Sequence, residues 1–188
     1  MNKNILFFLL ILVFTICACS RGKYLVKPEV EVKTTKPESL KTDNKNLEKN
    51  RSFAYSHFSM GNYHENNKNY EDAIIEYKKA LQVEENSAYI HCKLGEVYIR
   101  VGKTTEAIQE FKSAIELDPK YVDALLNMAT VYLHSNNLKE AKEIYKKIVE
   151  DIEPDNIEAN FRLGTLYSKE SNLEKAAEHF NVVIKNES

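Results

Sequence analysis

The chain has 188 residues, with 26 Lys or Arg against 28 Asp or Glu and a formal net charge of −2. That length is a one-domain prior, and the near balance leaves no electrostatic footprint for a nucleic-acid partner. The charge is unevenly placed: Ser20 to Arg51 holds nine basic and five acidic residues, whereas Ser52 to Ser188 holds sixteen and twenty-three. A basic arm therefore precedes an acidic body. Such an arm is either a solvated tether or a segment that rests on anionic lipid head groups, at about 1 kcal/mol per basic residue near the surface.

The chain opens with Lys3 and an apolar run from Ile5 to Ala18. About 20 apolar residues are needed to span a bilayer, so this run reads as the core of a secretion signal covering residues 1–18. Its end, Ile16-Cys17-Ala18-Cys19-Ser20, resembles a bacterial lipobox. Small Ala18 precedes Cys19, whereas bulky Ile16 precedes Cys17, so Cys19 is the better match. The resemblance implies cleavage before Cys19, diacylglycerol on its sulfur and an acyl chain such as palmitate on its amine. Several chains anchor stably where one is marginal. Ser20, rather than Asp, implies the outer membrane of a diderm cell. An ordinary secreted protein or an uncleaved anchor is the alternative. With Cys17 removed and Cys19 alkylated, Cys92 is the one remaining thiol and no disulfide can form within the chain.

Residues 19–51 show no helical or strand period and contain Pro28 and Pro37 among Lys, Glu, Thr and Asn. That composition predicts a disordered tether, with a helix starting within Asn44 to Lys49. A coil of about 25 residues spans roughly 25–30 Å.

From Ser52 to the end the sequence repeats itself. Units run 54–87, 88–121, 122–156 and 157–188, the third with one extra residue near Asp151–Glu153. Gly61, Gly95, Ala129 and Gly164 share one position. Ala73, Ala107, Ala141 and Ala176 share another, and Tyr77, Phe111, Tyr145 and Phe180 follow four residues later. Met60, Leu94, Met128 and Leu163, then His64, Tyr98, Tyr132 and Tyr167, complete the first-helix columns. A small–aromatic pair recurring four times in fixed phase is more than loose amphipathicity. The clearest unit, Ala88 to Tyr121, carries Leu94, Gly95, Tyr98, Ala107, Phe111, Ala114 and Pro119, and so resembles the tetratricopeptide repeat, two helices per unit of about 34 residues. There are departures. The family's frequent Trp is replaced by His57, His91, Leu125 and Asn160, and Glu85 stands where Pro would close the first unit.

The resemblance implies an all-α fold, a right-handed α-solenoid of about four units in which neighbours bury one another's apolar faces. It also implies a concave groove lined by the first helices. Carried over by position, the groove takes Tyr55, Phe58, Asn62 and Glu65 from the first unit and Tyr89, Cys92, Lys93, Glu96, Ile99 and Arg100 from the second. Leu126, Asn127, Thr130, Leu133 and His134 come from the third, and Phe161, Arg162, Thr165 and Lys169 from the fourth. Phe58, Lys93 and Asp123 stand where a carboxylate clamp would want Lys, Asn and Lys, so a receptor for a chaperone's C-terminal tail is disfavoured. An aromatic and aliphatic groove suits an amphipathic helix or an extended segment.

No catalytic constellation survives the periodicity. His57 and His91 occupy the same repeat position, which marks a packing column, and His134 and His179 fall on exposed helical positions. There is no His-Glu-x-x-His pattern, no Cys pair with metal spacing and no glycine-rich phosphate loop; no cofactor or metal is implied. At the chain end Ala177, Phe180, Val183 and Ile184 are expected to face a missing next repeat and to offer an interface, for self-association or for a partner. The resulting expectation is a non-enzymatic, lipid-anchored adaptor that binds peptide segments or proteins of the cell envelope. The alternatives are a pilotin-like assembly factor for a type IV pilus secretin and a ligand-binding accessory of a transporter.

Overall fold

The computed structural model describes residues 38–186, with side chains from Leu47 onward. The expected signal peptide, Cys19 and most of the tether lie outside the described residues. The described part is one compact unit of eight α-helices: α1 (Glu38–Asn66), α2 (Tyr70–Leu81), α3 (Ala88–Arg100), α4 (Thr104–Leu117), α5 (Val122–His134), α6 (Leu138–Lys147), α7 (Ile157–Lys169) and α8 (Leu173–Asn186). They pair as α1/α2, α3/α4, α5/α6 and α7/α8, and each pair packs on the next. This is the four-unit all-α solenoid that the columns imply.

One boundary differs from expectation. The first helix begins at Glu38, before the Asn44–Lys49 window. Glu38 to Lys49 has only Leu40 and Leu47 as apolar residues, too few for a period to reveal. Its Glu, Lys and Leu are nonetheless good helix formers, and Pro37 precedes it in the sequence.

Each pair is closed by the same device. The small residue of the first helix lies under the aromatic ring of the second. A Cβ added to Gly61, Gly95 or Gly164 would come 2.6 Å from the ring of Tyr77, Phe111 or Phe180 respectively. Glycine's cost of about 1 kcal/mol in a helix is thus offset by burial of the aromatic; Tyr77 and Phe111 are inaccessible to solvent, and Phe180, at the end of the solenoid, is half-buried.

The turns inside the pairs are also periodic. Lys68, Gly102, Asn136 and Ser171 stand at equivalent positions, all with positive φ of 59–74°. The next residue closes each turn by donating its N–H back across five residues: Asn69 to His64 O, Lys103 to Tyr98 O, Asn137 to Tyr132 O and Asn172 to Tyr167 O, at 2.8–2.9 Å. This is a Schellman cap, for which glycine is the usual occupant. Only Gly102 is glycine, so composition gave no sign of the other three.

The extra residue of the third unit forms a π-helical turn, Ile148–Ile152, continuing α6. Its closing bond runs from Glu153 N to Ile148 O at 2.7 Å. One wide turn absorbs one residue, Ile148 stays fully buried, and α7 starts in phase.

The column where the family favours Trp is polar in three units. His57 Nδ1 pairs with Glu76, and His91 Nδ1 pairs with Glu110 at 2.7 Å. In the fourth unit the order is reversed, with Asn160 Oδ1 2.9 Å from His179 Nδ1. The third unit places Leu125 and Ile144 there. His179 was expected on an exposed position. It is half-buried and its ring stacks on Tyr167 at 5.6 Å between centroids, because it takes the place of the partner acid.

The expected end stripe is also corrected. Phe180 closes Gly164 within its own unit and Val183 is buried, since both belong to inward-facing columns. Leu173, Ala177 and Ile184 are the exposed residues of that face.

Candidate functional site

The concave face is built by α1, α3, α5 and α7. Side chains assigned there by position fall into three groups. Phe58 and Tyr89 meet across the first unit boundary, ring centroids 5.4 Å apart, and Phe58 also packs 5.6 Å from Tyr77. With Tyr55, Arg51 and Ile90 they line a hollow of about 290 Å³.

The second group is a polar chain across the groove. The Tyr77 hydroxyl donates to Glu65 Oε2 at 2.6 Å, with Asn62 Oδ1 2.7 Å away. Burial and the adjacent Glu65 carboxylate hold that phenol protonated, well above its usual range. Lys93 Nζ donates to Glu96 Oε2 at 2.6 Å and lies 3.6 Å from Glu65 Oε1. Burial works against the Lys93 charge, but the Glu96 contact outweighs it and the ammonium is held charged. Asn127 Nδ2 donates to Glu96 Oε1 at 3.1 Å and to Cys92 Sγ at 3.7 Å.

Beside this chain opens a cavity of about 530 Å³. Glu65, Glu96, Asn127 and Thr130 line it, Phe111 and Val131 contribute apolar wall, and Ile99, Arg100, Thr104, His134 and Ser135 stand at its rim. Ile99, Arg100, His134 and Ser135 are exposed, so the cavity opens to solvent. Its size lies within the range of ligand clefts.

Several groove assignments do not hold. Cys92 is completely buried. Burial, then the Glu96 carboxylate, push its thiol up to about 12, so it is an unreactive filler under the groove floor. Leu126 and Leu133 are half-buried and packed on the core of the last two units, because the neighbouring helices close over them. Phe161 and Arg162, on α7, do not line this cavity but remain at groove positions: Arg162 Nε donates to Glu158 Oε1 at 2.6 Å, and the exposed Phe161 faces Phe180 at 6.1 Å. Thr104, Phe111, Val131 and Ser135 were not anticipated. Phe111 and Val131 carry core-column signals, and Thr104 and Ser135 carry none.

Residues 99–153 match a family model described as tetratricopeptide repeat, and residues 63–102 match one described as TPR repeat. Residues 63–153 thus carry tetratricopeptide repeats, and the described residues have the fold of a tetratricopeptide solenoid. Among solved structures it is similar to MamA, with 26% identity over 79% of this chain and 82% of that one, at a TM-score of 0.64. It is similar also to YrrB, described as a TPR protein with an unusual peptide-binding site, with 25% identity over 76% of this chain and 73% of that one, at 0.62. The first TPR of Spaghetti, bound to an HSP90 peptide, shares the fold at 23% identity over 64% of this chain and 95% of that one, at 0.59. No curated protein sequence matches the chain. Tetratricopeptide solenoids are in general protein-interaction scaffolds, and the site holds no group with the environment of a nucleophile.

Proposed function

We propose that the protein is a membrane-anchored adaptor whose tetratricopeptide groove binds a peptide segment of a cell-envelope partner. The observation that carries this reading is the solvent-open cavity between α3 and α5, apolar on one wall and hydrogen-bonding on the other. An anchor side chain fits the apolar wall, and Asn127, Thr130 and the Glu96 carboxylate are placed to meet backbone or cationic groups of the same segment. Lys93 is already spent on Glu96 and Glu65. The Glu65 and Glu96 carboxylates are matched by the Lys93 ammonium and by Arg100 at the rim, so recognition there rests on the apolar wall and the hydrogen-bonding groups rather than on net charge. The open mouth favours an elongated segment over an enclosed small molecule, and a peptide adaptor over a solute-binding accessory of a transporter.

The anchor rests on the lipobox-like Ile16 to Ser20 and on Cys19. It places the protein at a bacterial membrane, on the periplasmic face of the outer membrane in a diderm. Two measurements test the reading. Cys19→Ala should move the protein from the membrane to the soluble fraction; unchanged fractionation contradicts the anchor. Capture from detergent-solubilised envelopes should yield partners that Ile99→Glu with Arg100→Glu loses. Both residues are exposed, so the fold is spared, and an unchanged partner set removes the groove from the account.

A further inference from the structure

The two ends of the four-unit solenoid expose the two halves of the interface that is made three times in its interior. At the leading end, Met60 is 47% and Tyr63 61% exposed. Their counterparts in later units, Leu94 with Val97 and Leu163 with Leu166, are buried against the preceding pair of helices. At the trailing end, Leu173 is 71% exposed and Ala177 is exposed. Their counterparts Tyr70 with Ile74 are half-buried and buried beneath the following unit.

The match extends to individual contacts. Across the boundary between the first two units, Phe58 meets Tyr89. The equivalent positions at the two ends are Phe161, 46% exposed, and Tyr55, 74% exposed. The same two residue types are therefore held apart at opposite ends of one chain. Where Lys93 of the second unit meets Glu65 of the first, the end counterparts are Ser59 and Ser168, so joining the ends strands no charge. From Glu38 to Arg51, α1 carries Lys41, Lys45, Lys49 and Arg51 against Glu38, Asp43 and Glu48, a net charge of +1. The trailing helix and its approach carry Glu170, Glu174 and Glu178 against Lys175 and Lys185. The signs are complementary.

We infer that a second copy of this chain is the occupant of each end: α1 of one copy seats on α7 and α8 of another, as α3 seats on α1 and α2. Such a contact joins two different surfaces and continues the solenoid's own superhelical step, so it propagates into open chains of copies rather than closing as a twofold dimer. This goes beyond groove binding, which it leaves open along the whole assembly, and it stands or falls separately.

The test is cysteine cross-linking of the full chain in the cells that make it. Tyr55→Cys with Phe161→Cys in one chain should give, on mild oxidation, a ladder of dimers, trimers and longer products. When the two substitutions are carried on separate, co-expressed chains, the product should be the mixed dimer only. Adding Met60→Glu, at an exposed position that the isolated fold tolerates, should lower the yield at least tenfold. Gln109→Cys, exposed on α4, sets the background. Yields no higher than that background, dimers from Tyr55→Cys alone, or yields untouched by Met60→Glu would each overturn the inference. Envelope capture by the groove variants is unaffected by any of these results.

Discussion

Lys68 and Ser171 hold positive φ of 62° and 60° with no glycine to relieve it. An L-residue in that region costs about 1–2 kcal/mol, and replacing it with glycine gives up part of this as unfolded-chain entropy. Lys68→Gly and Ser171→Gly should each raise stability by about 0.5–1 kcal/mol, read from urea unfolding midpoints; Gly102→Ala should lower it. The opposite logic holds inside the helices. At Gly95 an added methyl meets the ring of Phe111, with 2.6 Å between heavy atoms. Overpacking costs about 1–3 kcal/mol and outweighs the gain of about 1 kcal/mol in helix propensity, so Gly95→Ala should destabilise. Phe111→Ala should cost about 3–5 kcal/mol. The glycine–aromatic pairs were legible in the sequence because a close approach forces residue type. The turn positions were not, because Lys, Asn and Ser reach the left-handed region at a cost the cap then offsets, leaving no compositional trace.

At the scale of helices, the polar column ties the first helix to the second in three of the four units, each with a different pH dependence. Glu110 raises the pKa of His91 above its ordinary 6.5. That contribution is complete below about pH 6.5 and is lost as pH rises through the raised value. Glu76 is lowered from 4.5, chiefly by His57, so its contribution is present above about pH 4.5 and is lost on acidification below that. His179 is lowered by burial; its neutral form is favoured in the fold, so α7 and α8 weaken as pH falls through 6.5. Because units of a solenoid open semi-independently, amide exchange corrected for intrinsic rate should show α3 and α4 gaining protection between pH 7.5 and 5.5 while α8 loses it. His91→Gln should abolish the gain. The sequence identified His57 and His91 as a packing column but not their acid partners, and it left His179 on an exposed position, since a residue 19 positions away becomes a neighbour only once two helices fold back. The π turn is the other element-scale device. Deleting Asp151 puts Ile152 in the column of Val83 and Leu117, so the deletion should melt no lower than the parent; collapse would show that the wide turn is required.

For the whole molecule, one-dimensional stacking explains both what was legible and what was not. Repeat register alone brought Tyr55, Phe58 and Tyr89 to one hollow, and Glu96, Ile99, Arg100, Asn127 and Thr130 to one cavity. Register does not report how deeply a position lies. Cys92 fell to the groove floor and Leu126 and Leu133 into the packing between units, since burial there depends on the helices on either side. The groove's charge was hidden for the same reason: Lys93 becomes unavailable only because Glu65 and Glu96 from two units converge on it.

The most direct measurement is photo-cross-linking in intact cells from a single side chain at Ile99, on the cavity rim, compared with Gln109, exposed on α4. Adducts with a distinct protein from Ile99, lost on adding Arg100→Glu and absent from Gln109, are the predicted result. Adducts from Gln109 with none from Ile99 would place the binding surface elsewhere and contradict the account.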